Sequence, residues 1–334
     1  PASAGTVTMN GTSAQSVSGA GSITSTTNST IEISNSAGVN LNTTLTLNGN
    51  LKLTNGLLSP GSNNLVLGTA SAITGTPSAT AMIVVTGTGQ LRKGFAAGFT
   101  GSFVYPVGDN TGTAEYSPVT LNFITGTFGP GNYTGVNLVN AKYPADPNNG
   151  SYLNRYWNVT QSGITVFNCN AQFQYVTPDV IGSENLIYCV RVNPTPFVGY
   201  VPANASLHLL NANGLSSFGT FTGTQPPPIL VTTVASSIAA TTATLNGTVN
   251  PNTLSVNVSF EYGLTTAYGT VVPAVPPIVS GNTLTNVSAA ISGLTANTTY
   301  HFRITGTNSQ GAASGNDLTF TTTCLAPAAA GTIT

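Results

Sequence analysis

The sequence predicts an all-β protein, and three observations carry that reading. Val, Ile, Thr, Tyr and Phe alternate with small polar residues along most of the chain. Gly, Asn and Pro interrupt them at short intervals, as turns between strands do. No stretch shows sustained helical periodicity between capping residues. At 334 residues there is room for two or three domains.

Taken in order, residues 1–95 carry short apolar pairs separated by one residue: "VNL" at Val39, "LTL" at Leu45, "LKL" at Leu51, "LVL" at Leu65. Strands this short, with turns such as "NG" and "SPGSNN" between them, predict a β-solenoid-like segment with rungs of roughly 20 residues. The alternative for the same pattern is a short-stranded β-sandwich. Residues 96–223 bring in aromatics, among them the single tryptophan, Trp157, in "LNRYWNVT". Longer strands with alternating large apolar residues predict a central β-sandwich. Residues 224–228 read as a Pro-rich linker, since consecutive prolines favour an extended chain. Residues 229–323 offer seven strand candidates at the spacing of an immunoglobulin-like or fibronectin-III-like sandwich. Within "GLTANTTYHFRI", Tyr300 follows Leu294 as a tyrosine corner requires, with its phenol bonding back to the preceding turn.

Residues 324–334 read as a junction strand. The chain opens "PASAGTVT" and closes "PAAAGTIT", identical at six of eight positions. Ser3 stands against Ala329 and Val7 against Ile333. Together with a start at Pro1, this predicts a processed or internal piece of something that repeats. Pro1, Val7, Cys324, Pro327 and Ile333 are then the assembly-junction candidates, with copies of the same chain as partners.

Composition narrows the function. Only 4% of residues are charged and the net charge is −1, while 40% are hydrophobic. Seven scattered cations cannot build the basic patch that nucleic acid demands, so nucleic acid is excluded as a partner. No apolar run approaches the length of a membrane span. The near absence of charge also predicts stability that changes little between pH 5 and 9, because neither His208 nor His301 has an evident charged partner in the sequence.

"SFVYPVGD", "LNRYWNVT", "LSSFGTFT" and the long stretch "ATLNGTVNPNTLSVNVSFEYG…ISGLTANTTYHFRITGTN" carry a family likeness. The chain resembles modular secreted surface proteins and adhesins of Bacteroidota-type bacteria that contain fibronectin type III-like repeats. The resemblance covers most of residues 30–323. It implies β modules at the cell exterior, in adhesive or structural roles, and it supplies no catalytic residues.

The remaining candidates are few. Cys169 in "FNCNAQF" and Cys189 in "LIYCVRV" sit in strand candidates flanking one turn, which predicts a cross-strand disulfide; two buried thiols are the alternative. Cys324 is left over, a free thiol or an intermolecular cross-link. Cys169, Cys189, His208 and His301 lack the short spacings of a zinc site. The turns at Asp109 and Asp146 have too few carboxylates to favour calcium over a plain Asn- and Gly-rich turn. No cofactor is implied.

Three functions remain. Catalysis needs placed carboxylates or a histidine-based triad; Asp179 and Glu184 read as surface acids of one turn, and the histidines as strand residues, so no catalytic residue is assigned. A glycan-binding surface module would use exposed aromatics, with Tyr152 and Tyr156 as candidates. In "YLNRYWNV" the strand alternation sends Tyr156 and Trp157 to opposite faces, and Trp157 to the core. The reading that accounts for most features is a structural subunit or repeat of an extracellular filament or adhesin stalk, joined head to tail through its terminal strands.

Overall fold

The computed structural model describes residues 5–19, 23–24, 29–194, 197–252, 254–281, 283–308 and 311–325. It is all-β, with two 3-10 turns at Thr177–Asp179 and Glu184–Leu186 among the described residues. Two compact units divide the chain: Pro1–Asp146 with Gly150–Gln225, and Pro147–Asn149 with Pro226–Thr334.

The first unit begins as a three-sided solenoid. Thr6–Met9, Thr30–Ser34, Asn50–Asn55 and Ile73–Gly75 stack in parallel as one side. Gln15–Val17, Val39–Leu41, Leu58–Ser59 and Ile83–Val84 form the second. Ile23–Thr24, Leu45–Leu47, Leu65–Leu67 and Leu91–Lys93 form the third. The apolar pairs anticipated in the sequence supply the interior: Val39, Leu41, Leu45, Leu47, Leu51, Leu53, Leu65 and Leu67 are all buried in one core. With every other side chain turned inward, strands of three residues suffice to fill so narrow a prism. The turns are tight: a Cβ on Gly56, whose φ is +99°, would collide with the Asn35 carbonyl. Asn35 itself is buried, donating through Nδ2 to the Ser13 carbonyl (2.8 Å) and Gln15 Oε1 (3.0 Å) while Oδ1 accepts from the Ala37 amide.

The boundary expected at residues 95 and 96 does not separate compact units. Leu91–Lys93 pairs in parallel with Leu65–Leu67 and, on its other edge, antiparallel with the long strand Val119–Val139. That strand forms a hairpin with Tyr152–Gln174, interrupted by bulges after Phe123, Thr125 and Phe128. The early half of Val119–Val139 pairs with Gly101–Tyr105, while the hairpin's second strand reaches Leu209–Leu215 with one half and Thr220–Thr224 with the other. The result is one 12-stranded sheet that starts as a solenoid side and curls into a nearly closed sandwich. A single core runs from Ile33 through Phe123, Trp157 and Phe173 to Phe221. Thr224, expected in the linker, belongs to the last strand of this unit, opposite Tyr152 and Tyr188.

The second unit is a fibronectin-III-like sandwich with a separate core that includes Leu245, Val258, Phe260, Phe302 and Ile304. Ile229–Ser236, Thr242–Asn250 and Thr285–Ser292 make one sheet. Val256–Gly263, Thr270–Val279, Thr299–Asn308, Gly311–Ser314 and Leu318–Thr321 make the other, and Thr270–Val279 joins the two through Val275 opposite Ser288. Among the described residues that is eight strands where seven were expected; the extra one, Gly311–Ser314, is the short return from Thr299–Asn308. The tyrosine corner is formed as anticipated: Tyr300 is buried and its hydroxyl accepts from the Thr295 amide at 3.0 Å.

Candidate functional site

The first candidate is the open end of the solenoid. Thr6–Met9, Gln15–Val17 and Ile23–Thr24 each stand at the end of their sheet, so among the described residues one edge of each has no strand partner. Such an edge presents unpaired N–H and C=O groups that template another strand. Val7 lies here with 60% of its surface exposed. Beside it runs a short polar ladder: Thr8 Oγ1 donates to Glu32 Oε2 (3.3 Å), Thr54 Oγ1 to Glu32 Oε1 (2.7 Å), and Lys52 Nζ lies 2.9 Å from Glu32. The Thr54 hydroxyl and the Lys52 ammonium hold the Glu32 carboxyl below its ordinary pKa. Of the other junction residues, Cys324 is exposed. Pro1, Pro327 and Ile333 lie outside the described residues.

The second candidate is an aromatic strip on the sandwich of the first unit. The alternation expected for "YLNRYWNV" holds: Trp157 is buried, its Nε1 donating to the Ser117 carbonyl (3.3 Å), while Tyr152 and Tyr156 are half-buried on the opposite face. Tyr156 meets Tyr143 edge-on with centroids 5.4 Å apart, and Tyr143 meets Phe197 at 6.4 Å. Lys142 Nζ stands 4.6 Å from the Tyr152 ring centroid. Tyr143, Phe197 and Lys142 had no signal in the sequence, because separate loops deliver them.

The strand that exposes Tyr156 buries Arg155. Its guanidinium is fully enclosed and meets three carboxylates: Asp109 (2.6 Å), Asp179 (2.7 Å) and Glu115. Asp109 also accepts from Asn140 Nδ2 and from the Thr111 amide, so the turn considered for calcium is closed by protein donors. Asp179, expected at the surface, is 2% exposed. Burial raises the Asp179 and Glu115 carboxyls above their ordinary pKa, and the Arg155 charge opposes this. The arrangement staples three chain segments to the long hairpin, with each of the three guanidinium nitrogens engaged by a different carboxylate.

The expected disulfide is not formed. Cys169 and Cys189 are both buried free thiols. Cys169 pairs with Phe123 and Leu215, Cys189 with Gly223, so Thr220–Thr224 intervenes between their strands. The turn between them in sequence returns the chain to the sheet one strand further out. Burial pushes the Cys169 thiol up to about 12 and raises Cys189 as well.

Both histidines have carboxylate partners, against expectation: His208 Nδ1 lies 3.0 Å from Glu184 Oε1 and His301 Nδ1 lies 2.8 Å from Asp317 Oδ2. Glu184 also accepts from the Tyr175 hydroxyl at 2.7 Å. Among the described residues no group of three or more His, Cys, Asp or Glu is placed to hold a metal ion. No helix among them is long and apolar enough to cross a membrane.

No family model matches the chain, and none of the curated proteins matches it. Solved structures do. The sensor domain of the anti-sigma factor RsgI4 of Pseudobacteroides cellulosolvens, in its long form, is 27% identical, covering 32% of this chain and 99% of that one with a TM-score of 0.25. Its short form is 28% identical over 30% of this chain and 100% of that one, again with a TM-score of 0.25. The fibronectin type-III domain of human fibronectin type III domain containing protein 3 is 21% identical, covering 32% and 97%, with a TM-score of 0.22.

Proposed function

We propose that this chain is a structural, non-catalytic unit of an extracellular filament or adhesin stalk, joined head to tail to further copies of itself. The observation that carries the reading is the open first rung, where three sheet edges end together and Val7 is exposed on the outermost strand. A solenoid stacks by repetition, and its end rung accepts one more strand at no cost in new geometry. Residues 327–334, "PAAAGTIT", have the required composition: no charge, a proline only at the start, and Thr332, Ile333 and Thr334 in alternation. A head-to-tail contact of this kind is heterologous and propagates as an open filament. The scarcity of charge supports side-by-side packing of such filaments at little electrostatic cost.

The test uses two variants in parallel, Val7→Asp and deletion of residues 327–334, with filament length measured by electron microscopy. Either change shortens or abolishes filaments while each unit stays folded. Filaments of normal length from both variants overturn the reading.

The aromatic strip favours a second reading, a glycan-binding surface module, because Tyr156, Tyr143 and Phe197 stand together half-exposed beside Lys142. A glycan array reads it directly: a specific signal that vanishes with Tyr156→Ala supports it, and a silent array overturns it.

A further inference from the structure

A lysine occupies a place in the leucine columns of the solenoid. Leu47, Leu67 and Lys93 stand in register on successive strands of the third side, and Lys93 is as enclosed as its neighbours, at 4% exposure. Its ammonium donates to two backbone carbonyls at the solenoid corner, Gly68 (2.6 Å) and Thr69 (2.9 Å). An ammonium has three N–H donors. The third meets no oxygen or nitrogen among the described residues, and no carboxylate pairs with Lys93 there. What faces the nitrogen instead is aromatic: the ring centroids of Phe95 and Phe103 lie 5.8 and 5.6 Å away.

Lys93, Thr69, Phe95 and Phe103 line a cleft of 380 Å³ between the solenoid corner and the first sandwich strand, with Ser71 and Phe99 among the other residues of its wall. The size falls within the range of small-molecule sites, roughly 300–1,000 Å³. Burying a cation without a counter-ion is unfavourable, and burial accordingly brings Lys93 down to about 8. A leucine or methionine would fill the column without that penalty, so within the chain the amine serves the Gly68 and Thr69 carbonyls and not the packing.

We propose that this cleft binds a small monocarboxylate with an aromatic body, its carboxylate accepting the third N–H of Lys93 and its ring packing against Phe95, Phe99 and Phe103. The ligand supplies what the site lacks: a negative charge where the cation stands alone, and an apolar body where the rings are. A charge-assisted hydrogen bond formed out of water is among the stronger contacts available to so small a molecule. Neither head-to-tail assembly nor glycan binding uses this cleft.

The chain has three lysines, Lys52, Lys93 and Lys142, so lysine-selective isotope labelling gives three resolvable side-chain signals. The probes are 3-phenylpropionate, the uncharged 3-phenylpropanol and acetate, each titrated into the full chain. The expected result is a saturable shift confined to Lys93 with phenylpropionate, and binding weaker by about tenfold or more for each of the other two, which lack the charge or the ring. Bound phenylpropionate also raises the pH at which Lys93 titrates. Ala72→Trp, placed at the exposed rim of the cleft, abolishes the shift without unfolding the unit. No shift at Lys93 in millimolar phenylpropionate overturns the proposal. Equal shifts at all three lysines, or undiminished binding to Ala72→Trp, overturn it as well.

Discussion

Leu91 lies opposite Val136 in an antiparallel pair, although the earlier strands of the same sheet all pair in parallel. Both side chains are fully buried. This is where the solenoid stops and the sandwich begins, and the change of direction does the work of a cap. A parallel stack left open here would expose the Leu91–Lys93 edge; the long hairpin covers it and carries the ladder into the next architecture. The two ends of the solenoid are therefore unlike: one continues into a sandwich, and at the other Thr6–Met9 and Gln15–Val17 each have one edge without a strand partner among the described residues.

Because one core spans the solenoid and the sandwich, residues 1–225 should unfold together. Leu91→Ala removes a side chain at their join and should cost about 2–5 kcal/mol. In differential scanning calorimetry the wild type should give two transitions, one for each core, and Leu91→Ala should lower one of them alone. A separate third transition for residues 1–95 would show that the solenoid folds independently.

The thiols make a second expectation. Cys169 and Cys189 are buried, with pKa values raised by burial, whereas Cys324 is exposed. Since the thiolate is the reactive species, a thiol reagent at pH 8 should titrate Cys324 quickly and the other two only on unfolding. Recovery of a Cys169–Cys189 disulfide by non-reducing peptide mapping would contradict this arrangement.

Local pattern was readable in the sequence wherever a residue's fate depends on its near neighbours. The apolar pairs at Val39, Leu45 and Leu65 are strands with both apolar residues inside. Tyr300 closes its own turn. What depends on long-range pairing was not readable. The composition changes near residue 95 because rings replace leucines in the core, yet the sheet runs on through that point. Cys169 and Cys189 are neighbours in sequence, but the chain inserts Thr220–Thr224 between their strands from far away. Arg155 did leave a signal: alternation that sends Trp157 inward sends Leu153 and Arg155 with it, and a buried arginine requires carboxylates. In the sequence one of those carboxylates, Asp179, reads as a surface acid and another, Asp109, as part of a plain turn.

Removing the hydroxyl of Tyr300 should leave the Thr295 amide without its acceptor while the ring keeps its stacking on Phe320, centroids 5.6 Å apart. Tyr300→Phe should therefore cost about 1 kcal/mol and lower only the transition of the second unit by a few degrees. Tyr300→Ala, which also empties the core, should cost several times more. Equal losses from the two variants would mean that the hydroxyl, and not the ring, carries the contribution.

The Arg155 cluster sets the acid side of the stability profile. One guanidinium faces three carboxylates, so with all four groups ionised the cluster holds an excess of negative charge in a buried place. Burial first, and the neighbouring carboxylates after it, raise Glu115 and Asp179 above the ordinary 4.5 and 3.8, while Arg155 opposes the shift. A carboxyl that is raised in the folded state holds its proton more tightly there than in the unfolded chain. Stability contributed by these two groups should therefore increase as pH falls through their folded values and level off below their ordinary ones. Replacing Arg155 by Met should reverse the balance of the cluster: near neutral pH three carboxylates are left buried without a cation, a loss of about 3–5 kcal/mol. Acid should restore part of it, because protonated carboxyls no longer repel and can donate to one another. Urea denaturation of both proteins from pH 8 to pH 5 checks this. The gap between wild type and Arg155→Met should narrow steadily as the pH falls. A gap that stays constant across that range would mean that Arg155 contributes through packing alone and that Glu115 and Asp179 do not titrate with it.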